Sequence, residues 1–237
     1  MKLTITHLYP AELNIYGDWG NIITLRKRLK WRGDTVEYQP IHIGDDYDFT
    51  QTDIVFGGGG QDKGQIAAAD DLAERAPNIH RAVEEGVVFL TVCGTFQLFG
   101  NSFTTATGSE LPGVGVFDAE TAGSQERLTG NMAIQTRWGE LVGFENHGGK
   151  TYLSAGQSAL GRVVYGNGNN GEDRFEGAID KNVFGTYLHG PLLPKNPHFT
   201  DELLKRAIER RGGDTALEPL DDSLAERAVE VAKQRPQ

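Results

Sequence analysis

Cysteine is nearly absent from this chain of 237 residues, which contains Cys93 and no other thiol. A single cysteine cannot form an intrachain disulfide, so the sequence predicts a protein of a reducing, cytoplasmic compartment. The six histidines include no pair at the spacing typical of metal ligands, and the missing second cysteine also argues against a zinc site. The sequence therefore predicts no bound metal.

Long apolar runs are missing as well. No stretch approaches the roughly 20 residues that a membrane-spanning helix needs, and the first ten residues are too polar for a secretory signal peptide. Excess positive charge is also lacking, since the formal net charge is −10 at pH 7. That balance argues against nucleic acid or an anionic membrane as the main partner. No G-x-x-x-x-G-K-[ST] loop occurs, so this chain is not expected to bind ATP through such a loop.

The first part of the chain alternates short apolar segments with amphipathic ones. Hydrophobic residues make up 38% of the composition, which is ordinary for a soluble globular protein. The alternation predicts right-handed βαβ units and a mostly parallel sheet. The predicted strands lie at residues 3–9, 35–41, 53–56 and 87–93, and the predicted helices at 21–31 and 65–85.

The pattern changes after Gly100. Short β-rich segments separated by turns predict a more antiparallel part of the same domain, and two helices close the chain. The predicted strands are residues 113–118, 132–136, 141–145, 162–165, 178–180 and 183–188, and the predicted helices are 199–211 and 222–233. We expect one domain over residues 1–211 and a C-terminal helical extension over 212–237.

Cys93 lies where a predicted buried strand meets a predicted helix, and Gly94 follows it directly. A sharp strand-to-helix turn would expose the sulfur above the carboxyl edge of the sheet, at a helix N-terminus whose dipole favours thiolate. This is the pattern of a nucleophile elbow, with cysteine in place of serine. A buried structural cysteine is the alternative, and the local sequence alone favours neither.

Four glycines, residues 57–60, follow another predicted strand at the same edge of the sheet. Backbone N–H groups that carry no side chain can approach an anion closely, so the segment is typical of an oxyanion hole. We expect donors near Gly59 and at Gly94, the residue after the nucleophile. A flexible turn is the alternative interpretation.

A general base for Cys93 should also lie at the end of a strand. His189 ends a β-rich segment and precedes Gly190 and Pro191, which break it, so it ranks first. His147 also follows a predicted strand and ranks second. Taken singly, either is more often a structural histidine than a base.

Residues 166–171 (GNGNNG) match the dinucleotide-binding fingerprint in letters only. The fingerprint requires that a helix begin at its last glycine. The following residues, EDRFEG, make a poor helix start, so the segment is predicted to be a turn between strands.

Several short motifs together resemble the class I glutamine amidotransferases of the cobyric-acid-synthase-like branch, and most of all its GatD family of glutaminase subunits. They lie between about residues 9 and 197: 14–18 (NIYGD), 58–62 (GGGQD), 93–97 (CGTFQ), 143–149 (GFENHGG) and 187–191 (YLHGP). The resemblance implies an α/β fold of the flavodoxin-like, class I amidotransferase type. A mostly parallel central sheet would be flanked by helices, with an antiparallel extension and C-terminal helices.

The resemblance also implies a mechanism. Cys93 would attack the side-chain carboxamide of L-glutamine, and amides near Gly59 and at Gly94 would hold the oxyanion. His189 would protonate the departing ammonia and then activate water against the thioester. Arg127 is the residue that would bind the glutamine carboxylate through two hydrogen bonds. A solvated surface charge is the alternative for Arg127.

Two positions depart from the family pattern. Thr95 replaces the second glycine of the usual elbow, and Pro191 stands where many class I enzymes carry the glutamate that orients the histidine. The resemblance therefore implies that a partner subunit supplies the orienting carboxylate. That partner is a Mur-ligase-like subunit of the MurT type, and it would hold ATP and magnesium, whereas this chain would need no cofactor. It would use the ammonia to amidate the D-glutamate α-carboxyl of the lipid II stem peptide to D-isoglutamine.

Other functions stay open on the sequence. A glutaminase component of a cobyrinate or cobyrate amidating system is one, although those usually carry an ATP-binding domain ahead of the glutaminase. A non-catalytic subunit with an amidotransferase fold is another, but the presence of both Cys93 and His189 counts against it. A peptidase of the same fold is disfavoured by the motifs at residues 14–18 and 144–149.

Overall fold

Residues 1–233 are described by a computed structural model, in which the chain forms two β-sheets flanked by helices. The strands are β1 (Lys2–Leu8), β2 (Thr35–Ile41), β3 (Ile54–Gly57), β4 (Val88–Val92), β5 (Ser102–Thr104), β6 (Glu110–Pro112), β7 (Ala119–Thr136), β8 (Gly139–Leu153), β9 (Gly161–Tyr165), β10 (Phe175–Glu176), β11 (Ala178–Asp180) and β12 (Val183–Thr186). The helices are α1 (Trp19–Trp31), α2 (Asp62–Glu74), α3 (Ala76–Glu84), α4 (Gly94–Leu98), α5 (Pro197–Arg210) and α6 (Ser223–Lys233).

The central sheet has the strand order β11-β12-β4-β3-β1-β2. Its strands run parallel except β11, which pairs antiparallel with β12. Every residue of β3, β4 and β12 is buried, as expected for parallel strands covered on both faces. Helix α1 contacts β1 and β2, and α5 contacts β4. The predicted mostly parallel sheet with flanking helices is confirmed.

The second sheet is built on one long hairpin, β7 and β8, which pair antiparallel. The sequence predicted only a short piece of each strand, because polar residues and glycines interrupt the apolar pattern elsewhere. The pairing register shifts between Gly123 and Leu128, so the hairpin bulges there. The bulge carries Arg127, one of the predicted binding residues.

Two other predicted elements differ from the structure. Residues 113–118 do not form a strand; the amides of Val116 and Phe117 donate instead to the carbonyl of Phe99. The single helix predicted over 65–85 is two helices, α2 and α3, that meet at Arg75. Pro77 lies in the first turn of α3, where a missing N–H costs nothing and the ring favours a new helix start.

Residues 166–171 connect the antiparallel strands β9 and β10, and no helix follows them. The Asn169 side chain bonds both the N–H and the C=O of Gly177, and Asn170 donates to the carbonyl of Thr151. The segment is a structural turn, as predicted, and not a nucleotide-binding loop.

A buried arginine connects the last helices to the first one. Arg28 of α1 binds both carboxylate oxygens of Asp201 in α5 at 2.7 Å, and it also binds Asp222, which precedes α6. Helix α6 buries none of its own residues. The division at residue 211 stays a prediction, and the Arg28–Asp222 pair crosses it.

Candidate active site

Cys93 occupies the turn between β4 and α4, and its backbone is left-handed, with φ +50° and ψ −103°. Residues other than glycine rarely adopt such a conformation. The turn is held from both sides: the Cys93 amide donates to Thr186 at 2.8 Å, and the Cys93 carbonyl accepts from Gln97 at 2.9 Å. The geometry is that of a nucleophile elbow.

Thr95, the departure from the usual elbow glycine, is fully buried against the end of β3. Its hydroxyl and its amide both donate to the carbonyl of Gly58, at 2.7 and 3.2 Å. A Cβ on Gly57 would lie 2.4 Å from the Thr95 methyl group. The Thr95 side chain therefore fits in the elbow because the facing residue on β3, Gly57, has no side chain.

His189 follows β12 and is fully buried. Its backbone exchanges two hydrogen bonds with Phe144 of β8, at 2.8 and 3.2 Å, which fixes where the side chain begins. Cys93 and Asp18 are the ionisable side chains beside the imidazole. The structure thus brings together the predicted nucleophile and the first-ranked predicted base.

Asp18, just before α1, is the residue that the sequence analysis missed. Its Oδ1 atom lies 3.5 Å from Nδ1 of His189, and both side chains are fully buried. Its Oδ2 atom accepts the Gly59 amide at 2.6 Å. The chain itself therefore carries a carboxylate beside the histidine, although Pro191 occupies the usual position of that group. A usable signal existed, because Asp18 lies in the loop after β1, and the loops after parallel strands meet at one edge of the sheet.

Burial and the neighbouring ionisable groups shift the pKa of His189 in opposite directions. Burial lowers the pKa of the imidazole, but Cys93 and the Asp18 carboxylate raise it by more, and the pKa of His189 rises to about 10. The raised pKa favours the imidazolium form of His189, and an adjacent cation favours the thiolate form of a cysteine.

The Gly59 amide is already committed to Asp18, so it is not free for an oxyanion. Gly59 also makes room for the histidine, since a Cβ there would lie 2.8 Å from Cε1 of His189. Among residues 1–233, no acceptor is bonded to the amides of Gly60 and Gly94. A Cβ on Gly94 would lie 2.9 Å from the Gly60 nitrogen, so these two free donors are neighbours. Gly60 and Gly94 are therefore the free backbone donors next to Cys93, and the oxyanion role expected near Gly59 and at Gly94 stays a prediction.

A cavity of about 580 Å³ opens above Cys93, and Arg127 lies on its wall. The Arg127 guanidinium is exposed and donates to the side-chain oxygen of Asn146 through Nε at 2.9 Å and Nη2 at 2.7 Å. Its Nη1 donates to no residue of the described chain. The structure places Arg127 in one cavity with Cys93, and its role in binding stays a prediction.

His147 lines the same cavity but is held differently from His189. Its ring stacks on Tyr187 with centroids 3.6 Å apart, and its Nδ1 lies 2.7 Å from the Gly149 carbonyl. Because a carbonyl only accepts, Nδ1 carries the proton. The carboxylate beside His147 is Glu145, at 3.7 Å from Nε2. Cys93 and Asp18 flank His189 instead, and the ranking of the two histidines as candidate bases stays a prediction.

Residues 4–197 match the family of CobB/CobQ-like glutamine amidotransferase domains. The chain belongs to this family. It is 45% identical to the subunit GatD of the glutamine-hydrolysing lipid II isoglutaminyl synthase of Staphylococcus aureus, over 89% of this chain and 86% of that one. It is 39% identical to the GatD subunit of Streptococcus pneumoniae, over 97% and 90% of the two chains. The resemblance stated from the motifs is confirmed.

More distant amidotransferases share parts of the sequence or the fold alone. A cobyric acid synthase of Limosilactobacillus reuteri is 31% identical over 58% of this chain and 28% of its own length. Two solved glutamine amidotransferases superpose with TM-scores of 0.58 and 0.52 at 15% and 16% identity, the second from Thermotoga maritima. They cover 85% and 98% of this chain, and 98% and 93% of their own chains.

The described amidotransferase domain contains no helix with the length and apolar character to cross a membrane. Within residues 1–233, no three His, Cys, Asp or Glu side chains converge as metal ligands would.

The contact between Gly57 and Thr95 predicts coupled stability. Gly57→Ala would push a methyl group into the Thr95 side chain, and Thr95→Gly would remove a buried hydrogen bond and a methyl contact. We expect each change to cost about 1–3 kcal/mol of unfolding free energy. The double variant should lose at least about 1 kcal/mol less than the sum, because Thr95→Gly removes the atoms that the new methyl group would meet. Urea unfolding measures all four proteins, and strict additivity would contradict the predicted contact.

The raised pKa of His189 predicts that its electrostatic interaction with Cys93 and Asp18 depends on pH. In the unfolded chain the imidazole titrates near 6.5, and in the folded chain near 10. The stabilisation from the charged ring is therefore complete below about pH 6.5 and is lost as the pH rises through about 10. We expect NMR of labelled histidine to find an imidazolium at pH 8, and Cys93→Ala to lower the pKa of His189. A His189 ring that titrates near 6.5 in both proteins would disprove this interaction with Cys93 and Asp18.

Proposed function

We propose that this amidotransferase is the glutaminase subunit of a lipid II isoglutaminyl synthase. The observation that carries the proposal is the Cys93 elbow in a cavity that also holds Arg127, with His189 and Asp18 buried beside the cysteine. The identity to two GatD subunits over most of both chains supports the same activity. The substrate is L-glutamine, and the products are L-glutamate and ammonia.

In the first half-reaction the Cys93 thiolate attacks the carboxamide carbon of glutamine. The N–H groups of Gly60 and Gly94 donate to the oxyanion that forms, in a site whose donors are already oriented. The His189 imidazolium gives its proton to the nitrogen as the carbon–nitrogen bond breaks, so that ammonia leaves and a glutamyl thioester remains.

In the second half-reaction the neutral His189 removes a proton from water, which attacks the thioester carbon. The sulfur leaves as thiolate, glutamate is released, and the imidazolium forms again. Asp18 holds the ring in orientation and balances its charge during both steps. Its 3.5 Å separation from Nδ1 would shorten when substrate fills the cavity, as catalytic contacts often do.

Arg127 would bind the α-carboxylate of glutamine. Asn146 uses Nε and Nη2 of the guanidinium and leaves Nη1 for the ligand. This arrangement places the carboxylate on the cavity wall and points the carboxamide toward the nucleophile.

The ammonia would be used by a Mur-ligase-like partner of the MurT type that holds ATP and magnesium. There it would convert the D-glutamate α-carboxyl of lipid II to the amide of D-isoglutamine, in the cytoplasm. The names of the two GatD relatives support this acceptor. A cobyrinate or cobyrate system has weaker support, because its relative shares only 58% of this chain. A non-catalytic subunit would not need the elbow or the flanked histidine.

Reconstitution with the MurT-type subunit tests the proposal. With lipid II, ATP and glutamine, we expect the pair to form D-isoglutamine, detected by mass spectrometry of the stem peptide. Cys93→Ala should reduce this rate at least about 1000-fold, since nucleophile and base act as a unit. Ammonium chloride in place of glutamine should restore amidation by the Cys93→Ala pair. Failure of the wild-type pair to release ammonia from glutamine would overturn the function.

Asp18 allows a test of where the orienting carboxylate resides. Asp18→Asn keeps an oxygen for the Gly59 amide but removes the charge beside His189. We expect kcat for glutamine hydrolysis to fall about 10- to 100-fold with little change in KM, both in the isolated chain and in the complex. An unchanged kcat in the complex would instead mean that the partner supplies the carboxylate.

A further inference from the structure

A line of buried side chains runs from α2 to Tyr187, the residue after β12, beside the cavity that contains Cys93. Gln65 of α2 donates from Nε2 to Oε1 of Gln97 at 2.7 Å, and Gln97 donates to the hydroxyl of Tyr187 at 3.1 Å. Gln65 and Gln97 are each about 3% exposed, and both line the cavity that contains Cys93. Neither glutamine has a part in the mechanism above.

The neighbours of Gln65 determine which way its amide points. The carbonyl of Gly94 lies 3.4 Å from Nε2, and a carbonyl can only accept, so the nitrogen must be on that side. The oxygen Oε1 is then left over. It accepts no hydrogen bond within residues 1–233, and it is not one of the fully buried unpartnered atoms. Since Gln65 is almost wholly buried, the surface that Oε1 retains belongs to the cavity.

The amide group of Gln65, which carries the free oxygen, adjoins the two free backbone donors. A Cβ on Gly94 would lie 3.2 Å from both Cγ and Cδ of Gln65 and 2.9 Å from the Gly60 nitrogen. Donors and an acceptor thus stand side by side at the nucleophile. A carboxamide has the complementary set, with one oxygen that accepts and one nitrogen that donates.

We propose that Gln65 is a specificity-determining residue whose Oε1 accepts a hydrogen bond from the carboxamide nitrogen of the substrate. This inference rests on the proposed glutaminase function. The acceptor favours an amide over a carboxylate, whose second oxygen would meet Oε1 without a proton between them. It would therefore select glutamine against its own product, glutamate. A site that binds an N–H group discriminates strongly against analogues that lack it.

The test compares glutamine with the γ-methyl ester of glutamate, which has the same acyl group but no N–H on the leaving group. Gln65→Leu and Gln65→Met remove the acceptor at similar volume. With the partner subunit present, we expect kcat/KM for glutamine to fall about 10- to 100-fold in both variants and kcat/KM for the ester to change less than about threefold. Inhibition by glutamate should strengthen in parallel. Gln51→Leu, a matched change at an exposed glutamine that does not line the cavity, should leave both substrates within about twofold.

Equal losses on glutamine and on the ester would overturn the inference, since they would mean that Gln65 only supports the fold of the backbone around Gly60 and Gly94. No loss on glutamine would overturn it as well. Failure of the proposed function looks different, because the wild-type complex would then hydrolyse neither substrate.

Discussion

The left-handed backbone at Cys93 is the constraint on which the site depends. A non-glycine residue in such a conformation costs about 1–3 kcal/mol, and surrounding interactions must hold it there. Thr186 of β12 accepts the Cys93 amide, and Gly58 beyond β3 accepts both donors of Thr95. These bonds anchor the turn to its two neighbouring strands. The strand before His189 and the glycine loop are therefore fixed relative to the sulfur by the same contacts that hold the turn.

Burial of the Asp18–His189 pair imposes the next requirement. A carboxylate without solvent needs hydrogen bonds, and the Gly59 amide provides one at 2.6 Å. Gly59 must also remain small, because the His189 ring occupies the space of a side chain. Within the glycine run, Gly59 bonds Asp18 and leaves room for the His189 ring, and Gly60 has a free amide beside Gly94.

Local pattern was enough to predict the parallel half of the fold. Strands such as β3 and β4 are short and apolar or β-branched, and the segments that follow them carry clear turn signals. The ends of these strands also indicated Cys93 and His189. The long β7–β8 hairpin was missed outside residues 132–136 and 141–145, because glycines and polar residues interrupt the apolar pattern there. Asp18 was missed for a different reason: its partner, His189, is far along the chain, and only the sheet topology brings the two together.

The loop at residues 14–18 connects the two ends of the cavity. Asp18 acts on His189 from one side, while the Tyr16 ring meets the same imidazole edge-on with centroids 5.2 Å apart. The Tyr16 hydroxyl accepts a hydrogen bond from Asn146 at 3.0 Å, and Asn146 in turn holds Arg127. Tyr16 is 46% exposed and, like Cys93, has a positive φ, here +54°. A shift of this one loop would therefore move His189 and Arg127 together, so both ends of the site depend on the same short segment.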